Sequence, residues 1–338
     1  MKRIILVILC CMVIGLAGCT SVKPATTVKA VLPTREASAT PSPASQPIET
    51  FVPATFTPSA EPPTPVPLSA TPEPPMATTV LPSATAEPGL TALPAEAQRI
   101  EFASEDGAKL VGMYYPAAVN PAPVVVLMHW ARGDKNDWIY VGMAAWLQNR
   151  GQETPPAPGS MPFDTPFPFT PLPADLSFGV FLFDFRSFGE SAPSSLPFSQ
   201  LGPLWEADAR AAYAQARALP GADPDQVAGI GASIGADAVV DACGEGCLGA
   251  LSLGPGSYLN VPYQEAVTRV DEAGKPAWCV CAEDDAAAAQ ACRSASGAHY
   301  QYQVYAVGGH AMSLFRAGNN LQPALDSLCL EFLLTAIP

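Results

Sequence analysis

The stretch that most restricts how this chain can fold is Gly231-Ala232-Ser233-Ile234-Gly235, a Gly-x-Ser-x-Gly pentapeptide. Before it, Val227-Ala228-Gly229-Ile230 is a short apolar run of the kind that forms a buried strand. After it, Ala236 to Ala242 is small and helix-forming. A serine on so tight a strand-to-helix turn is held in a strained backbone with its hydroxyl exposed. Its neighbours must be small because the two backbone segments nearly touch. The backbone N–H of Ile234 then lies at a helix N-terminus, where it can stabilise an oxyanion. The bland alternative is a Gly-rich turn with a chance serine, so the surrounding pattern has to decide.

That pattern alternates strands with helices. Ile100–Ala103 and Lys109–Tyr115 are strand-like runs around Asp106-Gly107, a hairpin signal. Pro123 to His129 contains Val-Val-Val-Leu-Met, a continuous apolar run typical of a strand buried on both faces. Asp137 to Asn149 has helical spacing at Ile139, Met143, Trp146 and Leu147. Phe178–Asp184 reads as another buried strand, and Leu204–Leu219 as an Ala-rich helix. Three further strands follow at Leu248–Leu253, Ala277–Cys281 and Tyr300–Val307, and Gln322–Ala336 makes a closing helix. The expected fold class is α/β, a mainly parallel sheet flanked by helices on both faces. No internal repeat is present.

The N-terminal third is expected to stand apart from that domain. Lys2 and Arg3 precede an apolar core, Ile4 to Ile14, too short for a comfortable membrane span. It closes on Leu16-Ala17-Gly18-Cys19, which resembles the lipobox of bacterial lipoproteins. That resemblance implies a signal peptide over 1–18, cleavage before Cys19, lipid on that cysteine, and an extracytoplasmic chain anchored to the membrane. Residues 20–97 hold 17 of the 38 prolines, mixed with Thr, Ala, Ser and Glu. Such a segment buries too little surface to offset its ordering entropy, and a tether over 19–97 is expected. The domain is then 98–338, with a Pro-rich surface insertion over 152–175. A net charge of −14 argues against nucleic acid as a partner and against a peripheral hold on anionic lipid.

Nine cysteines include Cys10, Cys11 and Cys19 of the leader. Of the other six, Cys243 and Cys247 flank Gly-Glu-Gly and are expected to form a small disulfide-bridged turn. Cys279, Cys281, Cys292 and Cys329 either pair or pack. Their spacing is not a zinc pattern, and no metal or cofactor is expected.

Ser233 needs a base, and the chain has three histidines. A parallel sheet gathers its reactive groups at the carboxyl ends of its strands. His310 follows the strand ending at Val307, whereas His299 precedes that strand and falls at the opposite edge. His129 also ends a strand but comes before the serine in sequence. His310 is therefore the expected base. The carboxylate that orients it should come from Glu283-Asp284-Asp285, directly after strand Ala277–Cys281. Asp285 is favoured, with Asp284 as the alternative. The second oxyanion donor should be the backbone N–H of Trp130, in the loop His129-Trp130-Ala131-Arg132-Gly133, with His129 bracing that loop. Trp130 and Trp138 either line an acyl pocket or pack in the core.

Taken together, these marks resemble the α/β-hydrolase superfamily in its dienelactone-hydrolase-like branch, over about 98–338. They are Asp106-Gly107, His129, the run Phe183-Asp184-Phe185-Arg186-Ser187-Phe188-Gly189-Glu190-Ser191, the serine turn, Glu283–Asp285 and Gly309-His310, in family order. Two positions depart from it. Trp130 stands where many relatives have glycine, and Ser187 replaces a common glycine. The dienelactone-hydrolase enzymes proper use a cysteine nucleophile, so Ser233 implies ester chemistry but not that substrate. The expected activity is a Ser-His-Asp carboxylesterase. The alternatives are an inactive binding module on the same fold and a relative of the serine peptidases.

Overall fold

Successive residues of the central strands point to opposite faces, and two apolar layers result. Val124, Val126, Met128, Phe181 and Phe183 enter one core cluster, while Val125, Leu127, Val180 and Leu182 enter the other. Both faces being covered explains why these strands read as unbroken apolar runs rather than as alternating ones. The computed structural model describes residues 92–158 and 166–337. All of them fall within one unit, Leu81–Pro338. The expected leader, Cys19 and most of the tether lie outside the described residues, as do 159–165 of the insertion.

Eight strands form one sheet in the order β1-β2-β4-β3-β5-β6-β7-β8. They are β1 (Gln98–Ala103), β2 (Lys109–Tyr115), β3 (Ala122–Met128), β4 (Gly179–Asp184), β5 (Ala222–Ala232), β6 (Ala250–Leu253), β7 (Ala277–Ala282) and β8 (Tyr300–Tyr305). β1 and β2 pair antiparallel around the Asp106-Gly107 turn, and β2 pairs antiparallel with β4. All remaining pairings are parallel. The chain moves from β3 outward to β4 and then back across β3 to β5. The carboxyl ends of β3 and β5 therefore flank the point where the winding reverses, which is where open α/β sheets hold their ligands.

The first core is roofed by α3 (Gly202–Arg217), α4 (Ile234–Asp241), α5 (Tyr263–Glu272) and α6 (Ala286–Ser294). The second is covered by α1 (Asn136–Tyr140), α2 (Met143–Gln148) and α7 (Leu325–Ala336). Here the structure departs from the expected elements. The single helix expected over Asp137–Asn149 is two short ones, broken at Gly142, whose φ is +93°. The break has a packing cause. The carbonyl of Val141 accepts the N–H of Phe167, and a Cβ on Gly142 would stand 3.1 Å from Thr154 Oγ1 and 3.6 Å from Phe169.

The insertion is accordingly more than a surface feature. Phe167 and Phe169 pack against Phe315, Trp146 stacks on Phe169 with ring centres 4.7 Å apart, and Leu172 is buried. On the tether side of the expected boundary at 98, the domain already has contacts. Arg150 donates to the carbonyl of Leu93, and Gln148 donates to that of Ala95. Helices α5 and α6 were not expected. α5 carries a readable stripe at Tyr263, Ala266, Val267 and Val270, whereas α6 buries mostly alanine and offers little apolar signal.

Cys243 and Cys247 form a disulfide, as do Cys279 and Cys292, which join β7 to α6; Cys281 and Cys329 are free and buried. Trp138 is fully buried against Phe315, and so belongs to the core rather than to an acyl pocket.

Candidate active site

The serine turn sits between β5 and α4. Ser233 adopts φ 54°, ψ −115°, a conformation that L-residues rarely occupy. Its N–H is held by the carbonyl of Leu253 on β6. The flanking glycines are dictated by space. A Cβ at position 231 would lie 2.0 Å from Gly235 O, and one at 235 would lie 2.3 Å from Met128 O. The tight packing of α4 against the ends of β5 and β3 thus requires glycine at both positions, and it fixes the serine over the sheet's carboxyl edge.

Three loops meet the turn there. After β7, Asp285 begins α6; after β8, Gly308-Gly309 leads to His310. His310 Nε2 lies 2.9 Å from Ser233 Oγ, and its Nδ1 lies 2.6 Å from Asp285 Oδ2. With the proton on Nδ1, the imidazole donates to the carboxylate and accepts from the serine hydroxyl. The neighbouring Asp284 serves the same loop in a different way. Its Oδ1 accepts the backbone N–H of Gly309 at 3.0 Å and of Gly308 at 3.2 Å, which tethers the turn that presents His310. Glu283 pairs with Arg293 at the surface. His299 lies at the opposite end of β8, exposed and beside Asp271.

The loop after β3 brings Trp130 to the site, its indole centre 6.5 Å from that of His310. The backbone N–H groups of Trp130 and Ile234 donate to no acceptor among the described residues. Ile234 opens α4, and an N–H in that position has no partner within its helix. His129 is fully buried between Phe185 and Phe188. The N–H of Phe185 donates to its Nε2 at 3.0 Å, so the ring's proton is on Nδ1, which donates to the carbonyl of Trp130 at 2.7 Å. Burial holds its pKa below the usual imidazole value. A neutral ring joining Phe185, just past β4, to the Trp130 peptide braces the loop.

Two buried carboxylates that the sequence pattern did not single out complete the surroundings. Asp137 accepts the indole N–H of Trp130 at 2.5 Å, and burial raises its pKa to about 7. A Cβ at Gly133 would stand 1.8 Å from the same carboxylate, which explains the glycine there. Asp237, one turn along α4 from Ser233, accepts the N–H groups of Gly256 and Tyr258; burial raises its pKa too, to about 7. It thereby fixes the loop after β6, which sets the ring of Tyr258 edge-on to His310 at 6.2 Å. Two acids four residues apart on one face of an otherwise apolar helix, Asp237 and Asp241, were the available signal.

The run after β4 is scaffolding. Asp184 accepts the backbone N–H and the Nζ of buried Lys135, and the N–H of Glu190. Arg186 is clamped between Asp208 and Asp106. Ser187 has φ 69°, the left-handed region, where glycine would be less strained. Among the described residues, no group of three or more His, Cys, Asp or Glu side chains is placed to hold a metal ion.

No protein-family model matches the chain. It is 26% identical to the uncharacterized protein YfhR of Escherichia coli K12 over 155 residues, 45% of this chain and 44% of that protein. The chain thus spans under half the length of the curated relatives it matches. Among solved structures, it superposes on the α/β hydrolase GrgF of Penicillium sp. sh18 with a TM-score of 0.50 and 14% identity, covering 72% of this chain and 99% of that one. The chain has an α/β-hydrolase fold. A protein of unknown function from Agrobacterium tumefaciens superposes with the same TM-score of 0.50 at 16% identity, covering 71% of this chain and 99% of that one. In that fold, the ends of β5, β7 and β8 are where Ser233, Asp285 and His310 stand.

Proposed function

We propose that this protein is a serine carboxylesterase, held outside the cytoplasm by lipid on Cys19. The observation that carries the reading is the unbroken line from Ser233 Oγ to His310 Nε2, and from His310 Nδ1 to Asp285 Oδ2. In the proposed cycle, His310 takes the Ser233 proton as Oγ attacks the ester carbonyl carbon. The N–H groups of Ile234 and Trp130 receive the oxyanion, and Asp285 stabilises the imidazolium. The intermediate collapses as His310 returns the proton to the leaving alcohol. Water, deprotonated by the same imidazole, then releases the acid and regenerates Ser233. No cofactor takes part.

The buried groups behind the site support this reading. Asp137 fixes the Trp130 indole, His129 fixes its carbonyl, and Asp284 fixes the turn before His310, so the reacting groups sit on braced loops. The dienelactone-hydrolase-like branch enters only as a resemblance of the motif order. Lipid anchoring rests on Leu16-Ala17-Gly18-Cys19, and metabolic labelling with a fatty acid, lost in Cys19→Ser, tests it.

The function is tested with 4-nitrophenyl esters of increasing acyl length, against wild type and Ser233→Ala. Turnover of short esters that disappears in the variant is expected. No turnover of any ester would favour a binding module, and cleavage of peptide anilides in preference to esters would favour the peptidase-like alternative.

A further inference from the structure

One cation beside the site forms no ion pair among the described residues. Arg132 lies two residues past Trp130, on the same loop, and is exposed. Its guanidinium carbon sits 5.5 Å from the centre of the Trp130 ring, the geometry of a cation–π contact. Beyond that contact it donates to no carboxylate and no carbonyl among the described residues. Every other described arginine and lysine is engaged by the protein, from buried Lys135 and Arg186 to exposed Arg99, Arg210 and Arg293. In a chain of net charge −14, an arginine that forms no ion pair with a described carboxylate is unusual, because carboxylates are abundant.

Its position is as telling as its lack of a partner. The Trp130 ring that carries the guanidinium also faces His310, with 6.5 Å between ring centres. Laid end to end, that distance and the 5.5 Å of the cation–π contact cap the separation of the guanidinium from the imidazole at 12.0 Å. The indole itself is buried, so it positions Arg132 from below, and a substrate whose ester carbonyl lies at Ser233 has the exposed guanidinium within that distance of its reacting group. The indole is not free to move away, since Asp137 holds its N–H at 2.5 Å. A planar guanidinium held on an aromatic face keeps its donor edge free for a bidentate grip on a carboxylate.

We propose that Arg132 is a specificity-determining residue that binds a carboxylate on the substrate, and that the preferred substrates are esters bearing such a group a few bonds from the scissile carbonyl. The proposal rests on the esterase reading and names its substrate class.

The test compares matched pairs of esters that differ in charge. On the acyl side these are the 4-nitrophenyl hydrogen ester of adipic acid and 4-nitrophenyl hexanoate. On the alcohol side they are phenyl acetates carrying a para-carboxylate or a para-carboxamide. For each pair the ratio of kcat/KM, anionic over neutral, is measured for wild type, Arg132→Gln and Arg132→Lys. A ratio cancels any loss of folded enzyme. In at least one pair, Arg132→Gln should lower it by about tenfold or more, through KM for the anionic member. Arg132→Lys should fall between, keeping the charge but not the planar fork. Raising salt from about 0.05 to about 0.5 M should reduce the wild-type ratio and leave that of Arg132→Gln nearly flat. If esters are turned over and Arg132→Gln leaves both ratios within about twofold of wild type, the carboxylate site is refuted and the esterase reading stands. If no ester is turned over, both fall together.

Discussion

Replacing Asp285 by asparagine should cost far more activity than the same change at Asp284, although the two are adjacent and both serve His310. In the native site, Asp285 Oδ2 accepts from His310 Nδ1 at 2.6 Å, which leaves Nε2 unprotonated toward Ser233. An amide in that place presents either an N–H₂ group, which forces the wrong tautomer, or a neutral oxygen that no longer stabilises the imidazolium. The expected loss in kcat is about 10³- to 10⁴-fold, equivalent to about 4–5.5 kcal/mol of transition-state stabilisation. Asp284 instead accepts two backbone N–H groups, those of Gly308 and Gly309. Asparagine retains a carbonyl oxygen that can accept both, so Asp284→Asn should cost less than about tenfold. Steady-state hydrolysis of a short 4-nitrophenyl ester, with thermal melting to confirm the fold, measures both. A larger loss in Asp284→Asn would show that the acid is misassigned. Asp285→Asn within about tenfold of wild type would refute the orienting role altogether.

Further outcomes concern stability. Burial, and then the charge of nearby Asp237, raises the pKa of Asp241 to about 8, and its Oδ2 has no hydrogen-bond partner. Because the folded chain keeps a proton that the unfolded chain gives up, this contribution to stability is complete below about pH 4 and is lost as pH rises to about 8. Asp241→Asn does not titrate, so its Tm relative to wild type should become more favourable between about pH 5 and about pH 8.5; a constant difference would contradict the assigned cause. The disulfide between Cys279 and Cys292 closes a loop with a sequence separation of 13, and losing it in Cys279→Ser/Cys292→Ser should cost about 3 kcal/mol in denaturant titrations. The Cys243–Cys247 bridge, with a separation of 4, should contribute only about 2 kcal/mol, and the reverse order would refute the loop argument.

The parts of this fold that could be read from the chain are those where one residue type is compelled. Gly231 and Gly235 have no room for a Cβ, so the serine turn announces itself. Buried strands are short apolar runs, and with three histidines only His310 follows a strand downstream of the serine. The distinction between Asp284 and Asp285 depends on where β7 stops. It ends at Ala282, so that Asp285 opens α6 facing His310 and Asp284 turns to the Gly308–Gly309 amides. Other features arise from contacts between distant segments. The break at Gly142 exists because Phe167 and Phe169 return to pack there, from a stretch whose prolines suggested only surface. Tyr258 reaches His310 only because Asp237, on another element, gathers the loop after β6. Ala-rich α6 buries residues too small to mark a helical face.

The central claim is that Ser233 is a nucleophile activated by His310. Labelling with a fluorophosphonate, followed by peptide mass spectrometry, tests it most directly, because the reagent reports the activated hydroxyl without requiring the natural substrate. The account predicts one phosphonylated residue, Ser233, with labelling lost in Ser233→Ala and strongly slowed in His310→Ala, while His299→Ala labels like wild type. A folded protein that takes up no label, or that carries it on another serine, would contradict the account.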